Sequence, residues 1–187
     1  MKVFLISSAQ RLRGFTLSEL MVTVLIVGII AGLSAPSLVR FTHSAHLKAD
    51  SHALQASLAQ SRLLAVNRST VIEICAKAAP EHLECARGTS ANTQWRNGWI
   101  VYEDNNQDGS VQPNEVISVS PARRHTNLRF NQRGRIRFYP DGTSRSAGFY
   151  LCSPRLKEAR HIALLHSGRL RITSRLSPHR RQQCLAS

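Results

Sequence analysis

Acidic residues are scarce in this 187-residue sequence: 11 Asp plus Glu stand against 25 Lys plus Arg, a formal net charge of +14. The shortage is local. Residues 123–187 hold 2 acidic and 15 basic residues, whereas residues 15–122 are slightly acidic at net −2 and residues 1–14 carry net +3. A polyanion-binding surface therefore belongs to the last third of the chain. Aromatic residues are also few, at 6%. That argues against stacking as the main mode of capture and for a grip on backbone charge. No C-x-x-C pair occurs among the 4 cysteines, which removes the usual zinc spacing. G-x-S-x-G, H-E-x-x-H and P-loop patterns are absent, and no serine has a placed base. The 8 histidines form no catalytic or ligand set; His43 and His46 share a helix face, as do His46 and Asp50, and read as solvated polar groups. The expectation is no enzyme, no cofactor and no resident metal.

Charge is missing altogether from Leu20 to Val39, a run of 20 residues. As a helix it would span about 30 Å, the thickness of a bilayer's hydrocarbon core. Lys2, Arg11 and Arg13 precede it, which places its start on the cytoplasmic side and the rest of the chain beyond the membrane. A cleaved secretory signal fits poorly, because Pro36 would follow the cut at "GLSA" and the apolar stretch is too long. A plain anchor explains the length but leaves Glu19, at the lip of the run, without a purpose; a carboxylate there is costly unless paired.

The segment "RGFTLSE" resembles a type IV prepilin leader junction, with a basic leader ending at Gly14, then Phe15, and Glu19 fifth in the mature chain. The resemblance implies that a prepilin peptidase cuts after Gly14 and that Phe15 is N-methylated. It also implies that Glu19 neutralises the new N-terminal amine of a neighbouring subunit, an ion pair formed in low dielectric. Pro36 falls where helices of that family often bend or melt.

Beyond Arg40 the Ala- and Leu-rich stretch continues as helix, with Leu47, Leu54, Leu58 and Ala65 at helical spacing and Asn67 as its expected stop. Short β-like runs follow: "TVIEIC" (70–75), "WIVYE" (99–103), "VISVS" (116–120), "IRFYP" (136–140), "FYLC" (149–152), "HIALL" (161–165) and "LRIT" (170–173). Asn-Gly, Asp-Gly and Ser-Gly pairs punctuate them. The 4 cysteines allow three pairings. In an oxidising compartment the expected ones are Cys75–Cys85, closing a short loop, and Cys152–Cys184, tying down the tail.

"WRNGWIVYEDNNQDG", "FYLC" and "HIALLHSGRLR" together resemble the GspH/FimT family of minor pilins and pseudopilins. The resemblance implies an α+β, pilin-like fold, a long N-terminal α-helix packed on a C-terminal antiparallel β domain. The organisation expected is a leader (1–14), a transmembrane or filament-core helix (15–39), an amphipathic helix half (40–67) and a globular β domain (68–187). The implied location is the bacterial inner membrane, single-pass with a periplasmic domain, and then a pilus filament of other type IV pilins.

Two patterns compete for a ligand. "DNNQDGSVQPNE" places Asp104, Asn106, Asp108, Gly109 and Glu115 on a calcium-loop spacing, but strands rather than helices flank it, so a hairpin turn is the expectation. The spelling G-R-x-R occurs twice. Arg169 and Arg171 form one pair, which Arg175 extends; Arg133, Arg135 and Arg137 form another row. On a strand such side chains share a face at steps of about 6.6–6.8 Å, near the phosphate spacing of a nucleic acid strand. The pair nearer the C-terminus also resembles a motif associated with DNA binding in FimT-type minor pilins. The resemblance implies a sequence-tolerant grip on double-stranded DNA for natural transformation. The alternative is a structural minor pilin or pseudopilin of a filament-tip or type II secretion complex, with the basic face docking acidic partners.

Overall fold

The computed structural model describes residues 15–86, 95–153, 155, 156, 158–174, 176 and 178, without the side chains of 33–36. It divides into two compact units, Met1–Val39 and Arg40–Ser187. Helix α1 is Leu17–Arg68. Its start is a capping box spelled Thr16-x-x-Glu19. The Glu19 N–H donates to Thr16 Oγ1 at 3.3 Å, and the Thr16 N–H donates to Glu19 Oε2 at 3.3 Å. In the first unit the large apolar side chains from Leu17 to Ile30 are exposed in the single chain. The helix assignment includes Pro36 and passes the expected stop at Asn67. It ends one residue later, because Ser69 adopts φ 55° and closes a Schellman motif: Thr70 N–H to the Ala65 carbonyl at 3.2 Å, Ser69 N–H to the Val66 carbonyl at 3.3 Å.

In the second unit Leu47, Leu54, Leu58 and Ala65 are fully buried along one stripe of the helix. They meet two four-stranded antiparallel sheets. The first contains β1 (Ile72–Ala76), β2 (Trp99–Tyr102), β3 (Val116–Val119) and β5 (Ile136–Phe138), in the order β3-β2-β1-β5. The second contains β4 (Asn127–Phe130), β6 (Ala147–Ser153), β7 (Glu158–Leu164) and β8 (Leu170–Thr173), in the order β4-β6-β7-β8. One apolar cluster joins the helix stripe, Ile72, Ile74 and Phe138 of the first sheet, and Phe130, Phe149 and Ile162 of the second. At its centre Phe130 stacks on Phe149 and Trp95 meets Phe149 edge-on and Phe130 at a tilt, with ring centroids 4.8–5.3 Å apart. Seven strands coincide with the β-like runs of the sequence; β4 was not expected.

The far side of the first sheet holds a second, smaller core. Cys75, Ile100 and Tyr102 are buried there against Cys85, Val111 and Val116. Cys75 and Cys85 are disulfide-bonded with Cα atoms 5.5 Å apart, as expected. A loop this short is worth about 3 kcal/mol in the chain-entropy account. Cys152 is also disulfide-bonded; its expected partner Cys184 lies outside the described residues.

A candidate basic interface

Alternation along β8 decides which arginines reach solvent. Leu170 packs on the apolar cluster, so Arg171 points to the outer face of the second sheet, and Arg169, one residue before the strand, shares that parity. Both are exposed. Among the described residues neither guanidinium has a hydrogen bond or ion pair. Pairing continues the surface inward: Arg171 lies opposite Ala163, and Ala163 opposite Gly148. The Asn131 N–H bonds the Gly148 carbonyl at 3.0 Å. Ala163 beside Arg171 is small, whereas Gly148 is covered by the side chains of His161 and Asn131, which would lie 2.8 and 3.1 Å from a Cβ there. Arg133 and Arg145 are also exposed, with Arg145 Nη2 donating to the Arg133 carbonyl at 2.9 Å. Arg145 was missed in the sequence because it stands alone in a turn, with no alternating partner. Tyr150 and His161 stack at 4.7 Å.

The tip that presents Arg169 is held in place. Gly168 has φ +71°, and the Leu165 N–H bonds the Arg169 carbonyl at 2.9 Å. The turn packs on a second turn, where Arg62 Nε of α1 donates to the Gly142 carbonyl at 2.9 Å. Ser144 N–H reaches the His166 carbonyl at 2.9 Å, and His166 Nδ1 lies 3.0 Å from the Ser144 carbonyl. Asp141, the carboxylate of the facing turn, accepts from the Thr143 N–H and hydroxyl, which hold it below the usual carboxylate range.

The other G-R-x-R has a different fate. Arg135 Nη1 donates to Glu73 Oε2 at 2.6 Å and to the Tyr102 hydroxyl at 2.7 Å, and Arg135 Nη2 to the Gly109 carbonyl at 2.7 Å. Arg137 Nε donates to Glu73 Oε1 at 2.5 Å. The Glu73 side chain is 4% exposed. Burial pushes its carboxyl up, but hydrogen bonds from Tyr102, Arg135 and Arg137 outweigh that and hold it below the usual range. Burial and Glu73 together hold Tyr102 far above the usual phenol range. The structure thus corrects the expected three-arginine row. Arg135 serves the fold, Arg137 is half committed to it, and Arg133 alone is exposed without an ion pair among the described residues. A buried carboxylate two positions along β1 needed those charges more than the surface did. Arg175 lies outside the described residues.

The acidic loop is a chain of Asx turns. Asp104 accepts from the Gly109 N–H at 3.0 Å and Asp108 from the Ser110 N–H at 2.6 Å. Glu115 accepts from the Asn105 and Gln112 N–H groups at 3.1 and 3.2 Å. Backbone donors occupy both Glu115 oxygens and one oxygen each of Asp104 and Asp108, as in a run of turns.

Residues 50–168 match the model of the family described as type II transport protein GspH, and residues 10–35 match the prokaryotic N-terminal methylation motif. Two crystal structures of the Pseudomonas aeruginosa type IV minor pilin FimU are similar in fold. One is 16% identical with a TM-score of 0.50, covering 71% of this chain and 92% of that one. The other is 15% identical with a TM-score of 0.48, covering 67% and 91%. No curated protein sequence matches the chain.

Proposed function

The chain belongs to the GspH family, and from that premise we propose that it is a minor type IV pilin whose basic face grips double-stranded DNA for uptake in natural transformation. The observation that carries the reading is the exposed, unpaired state of Arg169 and Arg171 among the described residues, on a hairpin tip locked by Gly168. Guanidinium groups grip phosphate without reading sequence. Arg169, Arg171, Arg133 and Arg145 together offer four exposed guanidinium groups for phosphate contact. With four phosphate contacts the log–log salt slope is about −3.6. Titrating random duplex DNA into the full-length protein in detergent tests this. Arg169→Gln/Arg171→Gln should weaken binding on the order of tenfold or more at physiological salt, halve the slope, and do so equally for unrelated sequences. Unchanged affinity in that variant removes the site.

The same reading takes residues 1–14 as a leader cut after Gly14 by a prepilin peptidase, with Phe15 N-methylated. In the single chain Glu19 is held by Thr16 in the capping box; cleavage gives it a second purpose, pairing with the amine of a neighbouring pilin. Intact mass of membrane-extracted protein should show a chain starting at Phe15. Glu19→Ala should leave the membrane-bound amount unchanged while lowering incorporation into filaments on the order of tenfold. Equal incorporation rules out the pairing.

A second reading, a structural pseudopilin of a tip or secretion complex, is favoured by one observation. The G-R-x-R at 134–137 already embraces a carboxylate, Glu73. A carboxylate on a partner pilin can engage Arg169 and Arg171 in the same way, and the DNA titration separates the two readings.

A further inference from the structure

The edge strands of the two sheets are β3 and β5 in the first, β4 and β8 in the second. An edge leaves backbone N–H and C=O groups without a ladder partner, and three of these edges are blunted. On the open side of β4 the Trp95 N–H donates to the Leu128 carbonyl at 2.8 Å. Along β5 the chain folds back, with the Tyr139 N–H on the Thr143 carbonyl at 3.0 Å and Ser144 bridged to Phe138. The pairing of β3 with β2 shifts register between Val101 and Tyr102, a bulge that bends the strand. β8 has none of these devices. Its register on β7 runs without a shift from Leu164–Leu170 to His161–Thr173, and it contains no proline.

Hydrogen-bond parity fixes which groups of β8 point outward. The Leu165 N–H bonds the Arg169 carbonyl at 2.9 Å, so these two residues form a hydrogen-bonded pair. Alternation makes Ala163–Arg171 the next such pair and His161–Thr173 the one after. Leu170 and Ile172 therefore aim their N–H and C=O groups away from β7. Among the described residues neither has a partner for them. Their side chains lie on the inner face, Leu170 on the apolar cluster and Ile172 47% exposed. Arg169 and Arg171 project from the outer face, both exposed. One edge thus combines four open backbone groups, an uncovered apolar side chain and two cations.

We propose that β8 is a docking edge for an extended segment of a partner protein, which joins the second sheet as a fifth strand and carries carboxylates at alternate positions. The proposal deepens the structural reading above, a partner carboxylate on Arg169 and Arg171, and rests on it. Backbone chemistry selects a peptide for this edge. Leu170 and Ile172 each offer an acceptor beside a donor, and a DNA backbone has no donor to return. Charge selects the sequence. In antiparallel pairing the residues opposite Leu170 and Ile172 share the inner face and are best apolar. The residue opposite Arg171 sits in a non-hydrogen-bonded pair, with Cα atoms about 4.5 Å apart, so its side chain meets the guanidinium. A carboxylate is favoured there and a cation disfavoured. The same rule disfavours a second copy, because joining Leu170 of each copy to Ile172 of the other sets two Arg171 side chains face to face.

The test titrates two blocked seven-residue peptides into the full-length protein in detergent. One alternates valine with glutamate; the other has the same residues with its glutamates consecutive. The alternating peptide should bind on the order of tenfold tighter, since it alone sets acid on one face and apolar groups on the other. At saturation, amide hydrogen exchange read residue by residue should slow at Leu170 and Ile172 on the order of tenfold, and less at Arg171, which already bonds β7. Ile172→Pro removes one outward N–H at a position where an edge strand accepts proline. It should weaken the alternating peptide on the order of tenfold and leave DNA affinity unchanged. Equal binding of both peptides without added protection overturns the edge pairing and leaves charge-driven docking in place. Binding of neither peptide overturns both. Self-association that protects the same two amides without peptide assigns the edge to a second copy and overturns the acidic partner. A loss of DNA affinity in Ile172→Pro means that the proline disturbs the tip, and the wild-type exchange pattern then decides alone.

Discussion

Glu73→Gln is expected to cost the globular unit about 3 kcal/mol and to lower its unfolding midpoint by about 10 °C. The carboxylate belongs to the second residue of β1 and is 4% exposed, between Arg137 of β5 with Arg135 just before that strand, and the Tyr102 hydroxyl on the other side. An amide leaves Arg135, whose side chain is 26% exposed, with Asp104 at 4.0 Å as its remaining counter-charge. It would also leave Tyr102 and the two guanidinium groups competing for one oxygen. The half-exposed Arg137 keeps some solvent, so the loss stays toward the low end for a broken buried pair. The pH dependence carries the same signature. Glu73 has a folded pKa below its unfolded value. Its contribution is therefore complete above the unfolded carboxylate value of about 4.3 and drains away as pH falls through the folded one. Wild type should lose stability below about pH 4 more steeply than Glu73→Gln does. Near-ultraviolet circular dichroism of the buried Trp95 and Trp99 follows the transition in the full-length protein. A midpoint shift of less than about 2 °C, or parallel acid limbs, would show that the network contributes little.

This network also marks the limit of what the sequence reveals. The helix stripe and seven strands were legible because a period of 3.6 or 2 survives wherever one face is dry, as at Leu47, Leu54 and Leu58 or along Ile72 and Ile74. β4 was not, since its four residues alternate Asn and Arg with Leu128 and Phe130, and the basic run before it masks the pattern. Helix ends depend on a single dihedral: Ser69 entered the left-handed region where a glycine or asparagine was sought. The capping box at Thr16 was spelled in the sequence but overshadowed by the role that the resemblance gave to Glu19. Site residues are harder still. Two copies of one pattern, Gly134–Arg137 and Gly168–Arg171, differ in whether a carboxylate waits on the next strand, and strand neighbours 64 residues apart leave no local trace.

The two glycines of those spellings provide the sharpest contrast. Both have positive φ, +79° at Gly134 and +71° at Gly168. A Cβ on Gly134 meets nothing within 4 Å. Gly134→Ala therefore bears only the left-handed strain, about 1 kcal/mol, a midpoint shift of about 3 °C. A Cβ on Gly168 would lie 2.2 Å from the Gly142 carbonyl and 2.6 Å from Arg62 Nε. The carbonyl is backbone and already holds Arg62 at 2.9 Å, so the two turns must separate and the clamp from α1 must break. Gly168→Ala should cost about 3–4 kcal/mol, a shift of about 10 °C or more. Separated turns also free the tip that fixes the backbone of Arg169. DNA affinity measured well below both midpoints should therefore fall with Gly168→Ala and hold with Gly134→Ala, although each substitution leaves every arginine in place. Equal midpoints would mean that the turns do not bear on each other. Unequal midpoints with equal DNA affinity would mean that charge in the last third is sufficient for capture and that the position of Arg169 is not.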